Sequence, residues 1–373
     1  MNTVIFWFRN DLRLHDQPAL AAALASGATH LLPVVCLPRA DEATPWGFAR
    51  VGTHRRAFAA AALRDLGTRM AGQGNPLMVC HAPPATVLPA LAHAVGASAV
   101  VCEDIAAPQE QAEVAALRAA GLQVRTVWHS SLLPPARMPW PVDQLPGVFT
   151  TFRQKVERAG ITPAAPLPLP TKLLPPPEVP VPVLQAVGAE QGAASIQQPT
   201  PPQGSDARSS FPYGTPACDG SETAALAHLA QYLARKLPHS YKDTRNGLTG
   251  LDYSSKFSPW LATGALSPRQ IYADLKAFER DHGANEFVAK PYTVDSLYKR
   301  LSAVIAYPRS YVNAPGYFGP ERRRKQLPFN GAERRGVDPR DVRRDVHDGL
   351  SDSRAARGLR ASRAGRKVGS AIG

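Results

Sequence analysis

Five short apolar runs punctuate the first 130 residues, and a helix-forming segment fills each gap between them. The runs are VIFWFR (4–9), HLLPVVCL (30–37), PLMVCHA (76–82), SAVVCED (98–104) and QVRTVWHS (123–130). Their hydrophobicity is nearly continuous, which suits strands covered on both faces, as in a parallel sheet. The segments between them are DQPALAAALASG, THRRAFAAAALRDLGTRMAG, PATVLPALAHAVG and PQEQAEVAALRAAG. In the first, Asp16 stands where a helix cap is expected, Pro18 falls in the first turn and Gly27 marks the stop; the last ends at Gly121. Parallel neighbours need crossover connections, so this alternation predicts an α/β doubly wound parallel sheet over residues 1–132. No GxGxxG follows the first strand; FRNDLRLHD stands there instead. Arg9, Asn10 and Asp11 cannot replace close-approach glycines, so a dinucleotide is not expected on this sheet, although a ligand at its strand ends stays open.

Beyond the sheet the texture changes twice. Residues 133–205 read as a Pro-rich connector, with twelve prolines between 160 and 205. Proline fixes φ and removes a donor, so an extended path over the surface is expected, with a proline-motif ligand as the rarer alternative. Residues 206–286 then read as the first part of an all-α domain. SETAALAHLAQYLARKL (221–237) places Leu226, Leu229, Leu233 and Leu237 on one helical face. SPRQIYADLKAFERDHG (267–283) opens with Ser267 as cap and Pro268 at the first helical position. The domain looks incomplete at Glu286.

Charge narrows the choice of partners. The net charge of +13 is uneven: residues 1–286 hold 24 Lys and Arg against 22 Asp and Glu, and residues 287–373 hold 19 against 8. The overall basicity therefore says little about what the first 286 residues bind. Apolar stretches are broken within ten residues, so no membrane span is expected. Arg9, Asp11, Arg13 and His15 near the start are unlike a secretory signal, which makes the cytoplasm the expected location. Cys36, Cys80, Cys102 and Cys218 lack metal or CxxC spacing; three lie in buried-looking strands and read as core thiols.

One segment is too polar for a core: SYKDTRNGLTGLDYSSKFSPWLATGALSP, residues 240–268. Ser258 followed by Pro259 reads as a helix start. Free N–H groups there, the hydroxyls of Ser254, Ser255 and Ser258, the charge of Lys256 and the phenol of Tyr241 together make an anion site. Serines also cap helices, and pattern alone leaves both readings open. His15, His54 and His129 have no ligand partners nearby in sequence and read as solvated or hydrogen-bonded. Glu103 and Asp104 end a strand, where ligand contact and plain solvation both fit.

FWFRNDLRLHDQPAL (6–20), VWHSSLLPPARMPWPVDQLPGVFTTFRQKVE (127–157) and SYKDTRNGLTGLDYSSKFSPWLATGALSPRQIY (240–272) together resemble the photolyase/cryptochrome family, and DASH cryptochromes in particular. The resemblance implies an α/β domain with a folate antenna, 5,10-methenyltetrahydrofolate, joined by a connector to a helical domain holding FAD. Blue light then drives an electron from reduced flavin into the substrate. DASH members are linked to repair of cyclobutane pyrimidine dimers, chiefly in single-stranded DNA, or to light signalling. The partner implied is DNA, without a membrane, and the protein a monomer. Tyr241, Ser254, Ser255, Lys256, Phe257 and Ser258 match the family's flavin-phosphate motif, and Glu103 lies where an acidic antenna contact is common. Because the chemistry is electron transfer from the flavin, no nucleophile or acid–base pair need be sought, and no catalytic residue is named because the positions the family implies lie beyond the matched stretch.

The resemblance covers about residues 3–286 and then stops. The aromatic-rich segments that contact the flavin ring and the substrate in family members have no counterpart afterwards. All five tryptophans precede the break, no aromatic follows Phe329, and 331–373 carries ten arginines. Residues 287–373 read as a divergent basic tail expected to be disordered, since so little apolar surface cannot offset ordering entropy. Three origins compete: a genuine phosphate-binding tail, a divergent helical subdomain, and a shifted reading frame in GC-rich DNA, the favoured one. The break is expected to leave the flavin cavity short of a wall and the apolar face of the 267–281 helix uncovered. As alternatives to an enzyme stand a non-enzymatic photoreceptor, a single-strand nucleic-acid binder using the tail, and an inactive truncated product.

Overall fold

The computed structural model describes residues 2–37, 51–191, 196, 215–246, 252–283, 311–314 and 317–320. They form, in chain order, β1 (Thr3–Phe8), α1 (Pro18–Leu24), β2 (His30–Cys36), α2 (Thr53–Gly72), β3 (Met78–Cys80), α3 (Pro84–Val95), β4 (Ala97–Glu103), α4 (Pro108–Ala119) and β5 (Val124–Val127). Then come α5 (Phe149–Arg158), α6 (Val181–Ala186), β6 (Ala189–Gln191), α7 (Glu222–Ala234), α8 (Tyr241–Thr244), α9 (Ser258–Thr263), α10 (Pro268–His282), β7 (Tyr311–Ala314) and β8 (Tyr317–Pro320). Two compact units result, Met1–Tyr298 and Lys299–Gly373.

The first unit is built on a six-stranded sheet of order β5-β4-β1-β2-β3-β6. β1 pairs in parallel with both β2 and β4 at the centre, as the apolar runs predict. Alternate side chains of β1 serve opposite layers. Val4, Phe6 and Phe8 pack with Leu20 of α1 and Leu63, Leu66 and Met70 of α2. Ile5 and Trp7 pack with Leu88 and Leu91 of α3 and Val114 and Leu117 of α4. Both faces are covered, so every residue of β1 is buried and its sequence cannot alternate.

The Pro-rich segment is not only a surface connector. Its residues 189–191 pair antiparallel with β3 as the sixth strand, and Leu173 and Val187 are buried. Asn75 holds the chain there, its Nδ2 donating to the carbonyls of Leu31 (2.8 Å) and Leu174 (2.7 Å). Proline lacks an N–H, yet the carbonyls beside it still accept, which lets this segment stitch onto the sheet layer.

A third core joins α7, α9 and α10 and takes in Phe58 of α2. Ser267 caps α10 as expected, its hydroxyl accepting from the N–H groups of Arg269 (3.1 Å) and Gln270 (3.4 Å). The apolar face of α10 is covered, contrary to expectation. Ile271, Leu275 and Phe278 are buried, the first two in one cluster with Leu229 and Tyr232 of α7 and with Phe257 and Trp260. The short turn around α9 supplies bulk that the polarity of its sequence hides.

Two expected caps are corrected. Asp16 does not cap α1: Gln17 holds that position, and Asp16, at φ +44°, turns its carboxylate to Ser267 and Arg269, a charged partner that outcompetes an amide. Ser258 does not cap α9 either, since Phe257 occupies the cap position without a side-chain bond. Among the described residues no helix is long and apolar enough to cross a membrane.

All four cysteines are free thiols, and Cys80, Cys102 and Cys218 are buried. Burial pushes the Cys80 and Cys102 thiols up to about 12. In the second unit, β7 and β8 form an antiparallel pair that the sequence does not announce. The arginine-rich stretch 331–373, with its expected disorder, lies outside the described residues.

Candidate functional site: a polar loop gripped by one helix, and a strand-end crevice

The loop 252–257 runs along α7. His228, Tyr232 and Arg235, spaced four and three residues apart, share one helical face. Arg235 forks onto Asp252 (2.6 and 2.8 Å), Tyr232 meets the Phe257 ring edge-on at 5.3 Å, and His228 Nε2 donates to the Ser255 carbonyl at 2.9 Å. The His228 ring also lies against Trp260 (5.0 Å between centroids) and Phe257 (5.7 Å). Burial holds the His228 imidazole below its ordinary range, and its hydrogen bond to Ser255 only partly opposes this.

Within the loop, Ser254 and Lys256 adopt φ +63° and +57°. A left-handed residue other than glycine costs roughly 1–2 kcal/mol, so two in three positions need external support. Phe257 follows in the right-handed region at φ −72°. Alternation of hand of this kind turns successive N–H groups toward one side and makes an anion-binding concavity. Ser254, Ser255 and Lys256 are half-buried and Ser258 is exposed. Among the described residues no carboxylate pairs with Lys256. Phe257 does something different from the rest: at 5% exposed, it anchors the loop in the core. Tyr241 opens α8, and burial, with the neighbouring Tyr241 phenol adding to it, pushes the phenol of Tyr232 up, beside the Phe257 ring. The donor set of hydroxyls, amides and an ammonium fits a phosphate.

The second place is the crevice where β1 and β4 diverge, the switch point of the sheet. Glu103 ends β4 and is 1% exposed, with Oε2 buried and without a hydrogen-bond partner among the described residues. Burial, reinforced by the Asp11 charge, pushes its carboxyl up to about 8. Asp11 goes the other way: burial opposes ionisation, but His129, the Arg9 amide and Arg13 together hold its carboxyl below the usual range. The pair therefore divides, Asp11 keeping the charge and Glu103 the proton. Beside Glu103, the buried Arg9 side chain donates to the carbonyls of Glu103 (3.3 Å) and Glu110 (2.9 Å) and pairs with Glu113 (2.9 Å).

The sequence gives no warning of what FRNDLRLHD does. It is the joint between the sheet layer and the helices. Arg13, 2% exposed, donates to the carbonyls of His15 (3.1 Å), Asp16 (3.1 Å) and Gly264 (2.8 Å) and to His129 Nδ1 (3.2 Å). Glu222 accepts from the N–H groups of Leu14 and His15, both at 2.9 Å, and pairs with His15 and Arg69. His15 Nε2 accepts from the Ser267 N–H at 3.2 Å. His15 and His129 are thus hydrogen-bonded in the interior. Only the density of charge after an apolar strand hinted at this, and spacing cannot distinguish a joint from a solvated turn.

The sequence profile of the family described as DNA photolyase matches residues 4–172. Cryptochrome DASH of Synechocystis sp. is 35% identical over 292 residues, covering 76% of this chain and 56% of its own length. The crystal structure of a Synechocystis cryptochrome superposes with a TM-score of 0.66 at 35% identity, over 77% of this chain and 57% of that one. A class III photolyase of Agrobacterium tumefaciens, 24% identical, shares the fold with a TM-score of 0.60 over 83% of this chain and 60% of that one. The chain spans about half the length of the curated relatives it matches.

Proposed function

Over its first three quarters this chain belongs to the photolyase/cryptochrome family, beside the DASH cryptochromes, and on that premise we propose that it is a flavoprotein acting under blue light. In this reading the loop 254–258 holds the diphosphate of FAD, and the substrate is a cyclobutane pyrimidine dimer in single-stranded DNA. The observation that carries it is the alternating backbone of Ser254–Phe257 with serine hydroxyls and Lys256 around it. Bound and reduced, FAD supplies the photoexcited electron that splits the dimer. The residues of this chain bind and orient: Ser254, Ser255 and Ser258 donate hydroxyl hydrogens, Lys256 offsets phosphate charge, and Tyr241 adds a phenol. Phe257 holds the loop down.

The seat proposed for a folate antenna is the switch point of the sheet, where Glu103 Oε2 has no hydrogen-bond partner among the described residues.

Replacing Ser254, Ser255 and Ser258 by alanine together tests the flavin site. FAD affinity should fall at least about tenfold, since each lost hydrogen bond to a charged group is worth roughly 1.5–3 kcal/mol before water compensates. Unchanged affinity removes the assignment. Light-dependent loss of dimers from an oligonucleotide tests the reaction.

A second reading rests on the excess of 19 basic over 8 acidic residues in 287–373. Binding to single-stranded DNA that is salt-sensitive, independent of light and lost on deleting 331–373 supports a non-enzymatic binder.

A further inference from the structure

Three contacts described here join α7 and its cap to the loop, and one of them, from His228, acts on the backbone that shapes the anion site. The Arg235–Asp252 pair is more than half exposed on both sides and lies at the loop entrance. Such a pair is screened and weakly held. Tyr232 packs on the side chain of Phe257 at the loop exit. His228 reaches the middle, where the Ser255 carbonyl lies between the two left-handed residues.

A carbonyl can only accept, so the bond fixes the tautomer: Nε2 carries the hydrogen. The carbonyl of Ser255 and the N–H of Lys256 belong to one planar trans peptide and point in opposite directions. Pulling the carbonyl toward α7 therefore turns the Lys256 N–H away from α7. The imidazole cannot swing off this task, because the Trp260 ring lies along it and the Phe257 ring stands on edge against it. Phe257 ends the loop and Trp260 lies three residues further on, in α9. His228 thus reads the loop's position through packing and sets its peptide plane through one hydrogen bond.

We infer that His228 is a positioning residue of the flavin-phosphate loop, aiming the Lys256 amide at the diphosphate by fixing the Ser255 carbonyl. The inference rests on the flavin reading given above and adds a residue that lies outside the polar segment altogether. His228 falls between Leu226 and Leu229 in a helix whose sequence marks only its apolar face, so no motif singles it out.

Two substitutions separate the hydrogen bond from the packing. His228→Gln keeps an N–H donor at nearly the same reach and loses the ring. His228→Phe keeps a ring between Trp260 and Phe257 and loses the donor. FAD and riboflavin, which lacks phosphate, are titrated against the full chain by flavin fluorescence, and amide exchange is followed at Lys256. The expected result is an FAD dissociation constant raised about tenfold in His228→Phe and less than about threefold in His228→Gln. Riboflavin binding should be equal in both, and Lys256 should exchange faster in His228→Phe alone. If His228→Phe does not fold, His228→Leu, smaller and equally without a donor, takes its place. A residue that acts only by packing gives the reverse order, with the Gln variant the weaker, and that order overturns the inference. So does wild-type binding of FAD that the Phe variant matches within twofold. Absence of FAD binding by the wild type overturns the flavin reading itself, and this assignment with it.

Discussion

The Asp16 carboxylate accepts a hydrogen bond from the hydroxyl of Ser267, 251 residues further along the chain. The same carboxylate accepts from Arg269 Nε at 3.0 Å and from the Leu167 N–H at 2.9 Å, so one buried side chain ties the sheet layer, the Pro-rich segment and α10 together. Ser267 in turn caps α10. The start of that helix is therefore placed by a residue of the first strand–helix turn.

Removing this tie should be costly. Asp16→Ala leaves Arg269, only 14% exposed at its side chain, without its charge partner, and a broken buried pair typically costs about 3–5 kcal/mol. Asp16→Asn tolerates φ +44° and keeps part of the bonding, so a loss nearer about 2 kcal/mol is expected. Urea unfolding measures both. An alanine variant within about 1 kcal/mol of wild type would show that the joint contributes little.

Gly264 makes the complementary test by sterics alone. A Cβ there would stand 1.8 Å from the Asn10 carbonyl oxygen and 2.4 Å from Asp11 Cα, both backbone atoms, and its φ is +70°. Gly264→Ala must push the helical part off the 9–17 joint, for a loss of about 3 kcal/mol or more. Thermal melting should fall, with new protease cuts between 245 and 270. A melting point equal to wild type would contradict so close an approach.

Acid should weaken the joint through Glu222. Burial works against its charge, but the His15 hydrogen bond and the Arg69 guanidinium hold its carboxyl down to about 2. A folded-state value below the unfolded 4.5 gives stability that is present above pH 4.5 and lost as pH falls toward 2. The amount is about 3 kcal/mol. Stability measured from pH 6 to pH 3 should fall less steeply in Glu222→Gln than in wild type, from a lower starting value.

Glu103 predicts the opposite slope. Its carboxyl is pushed up to about 8, chiefly by burial, so its stabilising contribution is whole below pH 4.5 and is lost as pH rises through 8. Glu103→Gln, which cannot ionise, should flatten the decline between pH 6 and pH 9. An equal decline in both proteins would place the alkaline sensitivity elsewhere.

Much of the sheet is legible in the order of residues alone. A strand buried on both faces must be apolar throughout, and VIFWFR, HLLPVVC and SAVVCE are; α2 spans the 53–72 segment that its helical texture marks out. The sixth strand is not legible, because AEQ has neither the length nor the apolar content of a strand and pairs only because β3 leaves an open edge beside it. The polar loop announces itself by composition, and Ser254, Ser255 and Lys256 indeed share one short turn. Its two left-handed residues and its dependence on His228 do not, since neither leaves a spacing to read.

Sequence by itself determined the five parallel strands, the helices between them and the polar loop, because those choices depend on neighbours within a turn or two. Tertiary structure alone decided which charges meet. Asp16 with Ser267 and Arg269, Glu222 with His15, and His228 with Ser255 each join residues that local rules treat independently. Such pairs form because folding removes water from ions and amides that must then find partners, and only the assembled layers fix which partners lie within reach.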